Sequence, residues 1–514
     1  MFASLLNEDY ISVIFSFFTM KELVEMRSFC SLFNKVFIQM PKQIFINNLK
    51  NIDDKIVLKN SRFFSNITEI YYYKCSFLTF KGLKYFSNLK SISLNHTKIP
   101  KLSELSTIEE VEIFTKADVT YDKFEGLDLK KFHKFHKISK TTELFHCNFK
   151  NLVDLRLKFD SKEISHEIQQ NYIDVISNTL KLKKLNIETG FNINLNGLTA
   201  LEFLSVHCSK ISYNSIKELS QLKTLFTLES EVKCVKNFVN LKKYWGDYVE
   251  FANNNKLKNV ILTNNNNQCY IYEFASTLNN LKNSLEILNI SAKNHNELKV
   301  VSDLTNLKEL QISCEDFGEK IDLSKLTKLK KLILNGITPI GGLPLSLEYF
   351  KIVCNHEISR NAPIKIYLPN NNIISTIIAH EGVIVENLGK HLTEFISYNK
   401  ISSKDVDNLM NNKNLTTLEI HYSIPSHIIN NNLQNLTTLS LSNFKNQHII
   451  RSLNKLKKLQ KLTLNNCNVE PDCIQDLELS EINLHWFHDD LIVNSRKLKN
   501  IFMHFCSPNL IKKT

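Results

Sequence analysis

With 514 residues, a net charge of +12, 43% hydrophobic residues and only 11 Gly and 9 Pro, the chain excludes long flexible linkers and Pro-rich tails. Only Arg27, Arg62, Arg156, Arg360, Arg451 and Arg496 are arginines, so the 64 basic residues are mostly Lys. Surfaces that read phosphates or bases favour the planar Arg fork, so this excess reads as a solvated face, with no nucleic acid or anionic lipid among the expected partners.

Residues 1–46 read as three short helices. Asn7 is the cap of the first, with Glu8 and Asp9 behind it where the helix dipole favours acids. Ile11, Ile14, Phe15 and Phe18 make one apolar face. Thr19 and Glu22 form a capping box for the second helix, which carries Leu23 and Met26. Phe33, Val36, Phe37 and Met40 mark a third, and Pro41 stops it. No basic region followed by a cleavage site precedes these helices, so no signal peptide is expected. No apolar run approaches the roughly 18 residues that a membrane span needs.

This stretch resembles an F-box in Leu5-Leu6-Asn7-Glu8, Ile11, Ile14-Phe15, Lys21-Glu22-Leu23 and Phe29-Cys30-Ser31-Leu32-Phe33. Leu6 replaces the usual Pro, and Phe33 replaces the common Trp. The resemblance implies that Leu5, Leu6, Ile14, Phe15 and Leu23 contact a Skp-type adaptor of a cullin ubiquitin ligase. The other reading of the same helices is a cap that seals the first repeat, as repeat arrays require.

From residue 47 to 514 one kernel recurs, clearest in Leu459-Gln460-Lys461-Leu462-Thr463-Leu464-Asn465-Asn466-Cys467-Asn468-Val469. Leu462 and Leu464 alternate with Lys461, Thr463 and Asn465, so they share one face of a short strand. Copies start at Leu89, Leu152, Leu182, Leu201, Leu285, Leu307, Leu329, Leu347, Leu415, Leu436 and Leu498, with weaker ones at Ile67, Ile108, Leu257 and Leu479. Roughly twenty copies at about 22 residues each fall in the leucine-rich-repeat range. The chain therefore resembles leucine-rich-repeat proteins. That implies an α/β solenoid with a curved parallel sheet on the concave face and helices or turns on the convex face. It would follow a small all-α N-terminal segment. Return segments such as 81–89, 164–180 and 211–222 read as helical from their apolar spacing. One repeat buries three or four Leu-sized side chains at roughly 1.5–3 kcal/mol each, less than the cost of ordering its own backbone, so stacking is obligatory.

The 11 Cys are spread singly, with no C-x-x-C and no zinc spacing. Reduced thiols suit the cytoplasm or nucleus. Cys75, Cys467 and Cys506 fall where the repeat places a small residue in its bend. No phosphate loop, zincin or nucleophile-elbow motif is present, so no enzyme, cofactor, metal or small-molecule substrate is expected. The run Lys131–Lys137 with His133 and His136 reads as a weak repeat with exposed polar residues.

What remains is a surface for protein partners. The outward positions of neighbouring repeats offer Phe203, His207, Phe226, Trp245 and Asp247 as target-binding candidates. Thr227 and Gly246 occupy kernel positions there, which leaves a core position for Trp245 open as well. Tyr349, His380, Tyr398, His421, His485, Phe502 and His504 fall on comparable outward positions. Similarity to F-box/leucine-rich-repeat proteins implies a substrate-recognition subunit that holds an unknown target on the concave face. The alternative is a non-catalytic scaffold or regulator, like the phosphatase-regulating leucine-rich proteins, with N-terminal helices that only cap the array.

Overall fold

The computed structural model describes residues 43–47, 67–73, 84–95, 107–113, 127–134, 150–158, 179–189, 194–207, 213–228, 237–247, 256–262, 278–292, 295–314, 319–353, 364–399, 403–421, 433–443, 453–467, 474–486, 491–493, 498–506 and 511–513, with a few isolated positions between them. Of the proposed helical segment 1–46, residues 1–42, and with them Leu5, Leu6, Ile14, Phe15 and Leu23, lie outside the described residues. The chain divides into two compact units, Met1–Ala252 and Asn253–Thr514.

In the first unit the strands are β1 (Gln43–Asn47), β2 (Glu69–Tyr73), β3 (Ser91–Asn95), β4 (Glu110–Ile113), β5 (Lys131–Lys134), β6 (Asp154–Lys158), β7 (Lys184–Glu188), β8 (Phe203–His207), β9 (Thr224–Leu228) and β10 (Lys243–Gly246). Each pairs in parallel with the next in sequence. β1 overlaps the last residues of the segment 1–46 and pairs in parallel with β2. Ile44 and Ile46 take the register of Ile70 and Tyr72.

The second unit contains β11 (Asn259–Leu262), β12 (Ile287–Ala292), β13 (Glu309–Cys314), β14 (Glu319–Asp322), β15 (Lys331–Asn335), β16 (Ile337–Ile340), β17 (Tyr349–Val353), β18 (Ile364–Tyr367), β19 (Thr376–Ala379) and β20 (Val383–Glu386). It continues with β21 (Glu394–Ser397), β22 (Thr417–Ile420), β23 (Thr438–Ser442), β24 (Lys461–Asn465), β25 (Glu481–His485), β26 (Leu491–Val493), β27 (Asn500–His504) and β28 (Ile511–Lys513). The main ladder runs β11–β12–β13–β15–β17–β19–β21–β22–β23–β24–β25–β27, parallel throughout. The pairs β14–β16, β18–β20 and β26–β28 are separate two-stranded sheets. Among the described residues, the α-helices α1 (His295–Val301) and α2 (Ser403–Met410) belong to returns.

The kernel explains the core. Leu185 and Ile187, Leu462 and Leu464, and Ile482 and Leu484 are fully buried, while the residues between them face outward. Parallel strands in one register stack like residue on like residue, so each copy supplies the apolar neighbour that the next one lacks. These features make each unit a leucine-rich-repeat solenoid. Cys467 occupies its bend as expected, buried, with its thiol directed at the Leu441 and Asn465 carbonyls at 3.3 Å. Cys75 lies outside the described residues.

The returns differ from the helical expectation. In 211–222 only Tyr213–Ser215 forms a short 3-10 turn. Leu219 and Leu222 then donate their N–H groups to the carbonyls three residues back, on Ile216 and Leu219. Leu198 and Leu201 repeat the arrangement, as do Leu456 and Leu459. The apolar residues recur every three positions, which suits tight turns with i to i+3 bonds and not the 3.6-residue period of an α-helix. Leu89 bonds back to Phe86 in the same way within 81–89. Most of 164–180 lies outside the described residues.

Candidate binding surface

β8, β9 and β10 carry an aromatic stripe on the outward face of the first unit. Register sets Phe226 directly beside Trp245, and Phe203 diagonally beside Phe226. The Phe203 and Phe226 rings meet edge to face at 5.4 Å between centroids and 86°, and Phe226 and Trp245 at 5.4 Å and 75°. Trp245 is 39% exposed, whereas Phe203 and Phe226 are half-buried by their neighbours. The open question over Trp245 is thereby resolved, because Tyr244 and not Trp245 fills the core position.

The local cause lies in two unusual kernel residues. Tyr244 enters the core with its hydroxyl 3.1 Å from Thr227 Oγ1, and it donates to the Asp247 carbonyl at 2.8 Å. A large residue at position 246 would collide with this pair: a Cβ there would run into the Thr227 carbonyl and hydroxyl and lie 2.7 Å from the Tyr244 hydroxyl. Thr and Gly at the last kernel position make room for Tyr244, and this packing holds Trp245 outward.

His207 is exposed at the end of β8, as expected. Asp247 is not: it is only 8% exposed. Strict alternation would turn it outward, but β10 ends at Gly246 and the chain bends inward there. Asp247 therefore leaves the list of contact candidates.

Farther up the same unit, β3 to β6 hold a polar ladder. Ser93 Oγ donates to Glu112 at 2.9 Å, Lys131 Nζ lies 2.9 Å from Glu112, and His133 sits between Glu112 (3.3 Å) and Asp154 (2.9 Å). His133, expected to be exposed, is buried. Burial pushes its imidazole pKa down, but the hydrogen bonds to Asp154 and Glu112 outweigh that, and it stands above the ordinary value. The bond from His133, helped by Lys131 and Ser93 and opposed by burial, holds Glu112 at about 2. Asp154 is also lowered, because its bond to His133 overcomes burial. Sequence reasoning missed this group because its members are about twenty residues apart and meet only through strand register.

The second unit has its own ring columns. His380, Tyr398 and His421 stack at 4.8 and 4.1 Å, nearly parallel. His421 Nε2 lies 2.5 Å from Glu419. Burial and the Lys351 charge lower the His380 pKa, and burial with Glu419 raises that of Tyr398. His485 stacks on His504 at 4.8 Å, and Trp486 on Phe505 at 4.4 Å. Tyr349 receives the Lys331 ammonium over its ring at 5.7 Å.

Ion pairs between neighbouring repeats engage part of the Lys excess. Glu286 bridges Lys258 (2.6 Å) and Lys308 (2.7 Å), and Glu202 takes Lys223 at 2.6 Å. Exposed pairs of this kind contribute at most about 1 kcal/mol each. No cluster of three metal-capable side chains occurs among the described residues, and no described helix is long and apolar enough to cross a membrane.

No family model matches the sequence, and no curated protein does. Solved structures do match. An internalin from Listeria monocytogenes is 21% identical, over 63% of this chain and 88% of that one, with a TM-score of 0.36. A leucine-rich-repeat protein from Leptospira interrogans is 16% identical, over 84% and 93%, with a TM-score of 0.31. A protein described as a novel circular leucine-rich-repeat structure is 13% identical, over 86% and 76%, with a TM-score of 0.40.

Proposed function

We propose that the chain is a non-catalytic scaffold that binds a protein partner on the outward sheet face around Phe203, Phe226 and Trp245. The observation that supports this is the edge-to-face aromatic stripe on three successive strands, with Trp245 39% exposed at its end. Rigid aromatics clustered on an otherwise polar face are the residues that dominate protein interfaces, because they bury much area and lose little side-chain entropy. The chain itself carries no chemistry on this reading, and it works in the cytoplasm or nucleus.

The finer reading makes it the recognition subunit of a ubiquitin ligase. It rests on the F-box resemblance of residues 1–46, where Leu5, Leu6, Ile14, Phe15 and Leu23 would meet a Skp-type subunit. Two variants separate the two surfaces. Affinity capture from source lysate compares the intact chain with Phe226→Ala/Trp245→Ala and with Leu6→Asp/Ile14→Asp, each checked for fold by circular dichroism. Loss of one partner set in the first variant supports the scaffold role. Loss of a Skp-type subunit and a cullin in the second supports the ligase role. Capture without any cullin leaves the scaffold reading and removes the ligase. Partner sets that ignore Phe226 and Trp245 remove the stripe.

A further inference from the structure

In the middle of the second unit the outward sheet face changes character. On β12, β13, β23, β24 and β25 the outward residue between the two kernel positions is Asn289, Gln311, Ser440, Thr463 or Asn483. On β15, β19 and β21 it is Ile333, Ile378 and Ile396, each half-buried. An aliphatic side chain there points away from the core on the opposite face. Val353 at the end of β17 and Tyr398 just past β21, both half-buried, widen the patch. Charge is split across it. Lys351 holds the same outward position on β17, between Ile333 and Ile378 in register. Glu394 opens β21 on the other side. Lys331 is taken by Glu309 (3.7 Å) and Glu419 by His421. Among the described residues Lys351 makes no ion pair, and the one hydrogen bond to the Glu394 carboxylate comes from the Thr376 hydroxyl at 3.4 Å.

The face of a sheet offers side chains and no free main chain. An extended segment lying on it would hold its own N–H and C=O groups against isoleucine, whereas a helix satisfies them internally. The repeat distances agree as well. A helix rises about 5.4 Å per turn and successive strands lie about 4.8 Å apart, so one turn meets one strand. From β15 to β21 is three spacings, about 14 Å, or roughly ten residues of helix. Lys351 and Glu394 are two spacings apart across the ladder, about 10 Å, which corresponds to helix residues about seven apart.

We propose that this patch docks an amphipathic helix of about three turns from a partner protein, its apolar stripe on Ile333, Ile378 and Ile396, with one acidic side chain against Lys351 and one basic side chain against Glu394. The isoleucines supply the buried area, and the two unengaged charges of opposite sign select the partner and set its position. A helix with two acids or two bases at those places meets a like charge at one of them. The surface lies wholly within the second unit, and it stands or falls separately from the stripe on β8 to β10.

The probe is a fluorescein-labelled helical peptide of about 14 residues, with Leu along one face, one Glu and one Lys about seven apart beside that face, and Ala and Gln elsewhere. Its anisotropy with the full chain should show saturable binding with a Kd of about 10–100 µM. Lys351→Glu and Glu394→Lys, outward changes checked by circular dichroism, should each weaken binding at least about tenfold. The double reversal Lys351→Glu/Glu394→Lys should restore it, because the helix can dock end for end, and a merely structural role would show no such rescue. Ile378→Thr, which keeps the β-branched shape, should weaken binding about tenfold. The same peptide with a central Pro, which breaks the helix, should bind at least about tenfold more weakly. No saturation by about 1 mM, a double variant as weak as the single ones, or indifference to Ile378→Thr overturns the proposal. So does a Pro peptide that binds as well as the helical one, since the occupant would then be an extended segment.

Discussion

Gly246→Ala adds one methyl group where the aromatic stripe is anchored, and its cost can be worked from the contacts. The new Cβ would collide with the Thr227 carbonyl and hydroxyl and lie 2.7 Å from the Tyr244 hydroxyl. Thr227 is fully buried and Tyr244 nearly so, and their hydroxyls are joined at 3.1 Å, so neither can swing aside without breaking a buried hydrogen bond. One colliding atom belongs to the backbone of β9, so relief requires β9 and β10 to separate. Overpacking of this kind costs about 1–3 kcal/mol. Replacing Gly also stiffens the unfolded chain, which returns about 0.4–1 kcal/mol. The net expectation is a loss of about 1–2 kcal/mol. Trp245 and Trp486 are the only tryptophans, so in a Trp486→Phe background Trp245 fluorescence reports this site alone during urea unfolding. The variant should unfold at lower urea, and its native emission should shift as Trp245 moves. An unchanged or raised midpoint would mean that position 246 is not pressed against Thr227, and the outward placement of Trp245 would fall with it.

Leu462→Ala, at a fully buried kernel position, should cost about 2–5 kcal/mol, and the loss should be measurable by urea unfolding. Trp245→Ala, whose side chain is largely outside the core, should shift the same midpoint by less than about 1 kcal/mol while removing partner binding, which is the pattern of a contact residue. His133→Gln tests the ladder through pH. The raised His133 pKa contributes stability that is complete below the unfolded histidine value of about 6.5 and is lost as pH rises through the higher folded value. Glu112, held at about 2, contributes above the ordinary carboxylate range and loses this as pH falls through about 2. The stability difference between wild type and His133→Gln should therefore be largest below about pH 6.5 and shrink as pH rises through the raised folded value. A difference that never shrinks as pH rises past about 6.5 would show that the His133 charge is not held there.

The inward half of this fold is legible in the sequence because it depends on one local rule. Alternation about Leu462 and Leu464, or Leu185 and Ile187, states which side chains are buried without any knowledge of the neighbouring strand. The rule fails where the last kernel residue is small. Gly246 and Thr227 hide β10 and β9 from a leucine pattern, and the reason, a tyrosine hydroxyl needing space and a partner, is tertiary. It also fails in the returns, where Ile216, Leu219 and Leu222 suit a helix loosely but a three-residue turn closely. Asp247 shows the complementary error, since alternation was extended one residue past the strand that justified it.

The outward half depends on register between strands about twenty residues apart, yet part of it could have been read. His380, Tyr398, His421, His485 and His504 all fall one position after the last kernel residue of their copies. Parallel strands in constant register bring such positions side by side at the strand spacing of about 4.8 Å. Flat rings there must stack, and the observed separations of 4.8, 4.1 and 4.8 Å are close to that spacing. Phe203 breaks the column, because it precedes its kernel pair while Phe226 and Trp245 lie within theirs. Its ring meets Phe226 on the diagonal, edge first. The column positions thus use their aromatic surface on each other and stiffen the sheet. Trp245, 39% exposed at the end of the stripe, is therefore the residue to mutate first.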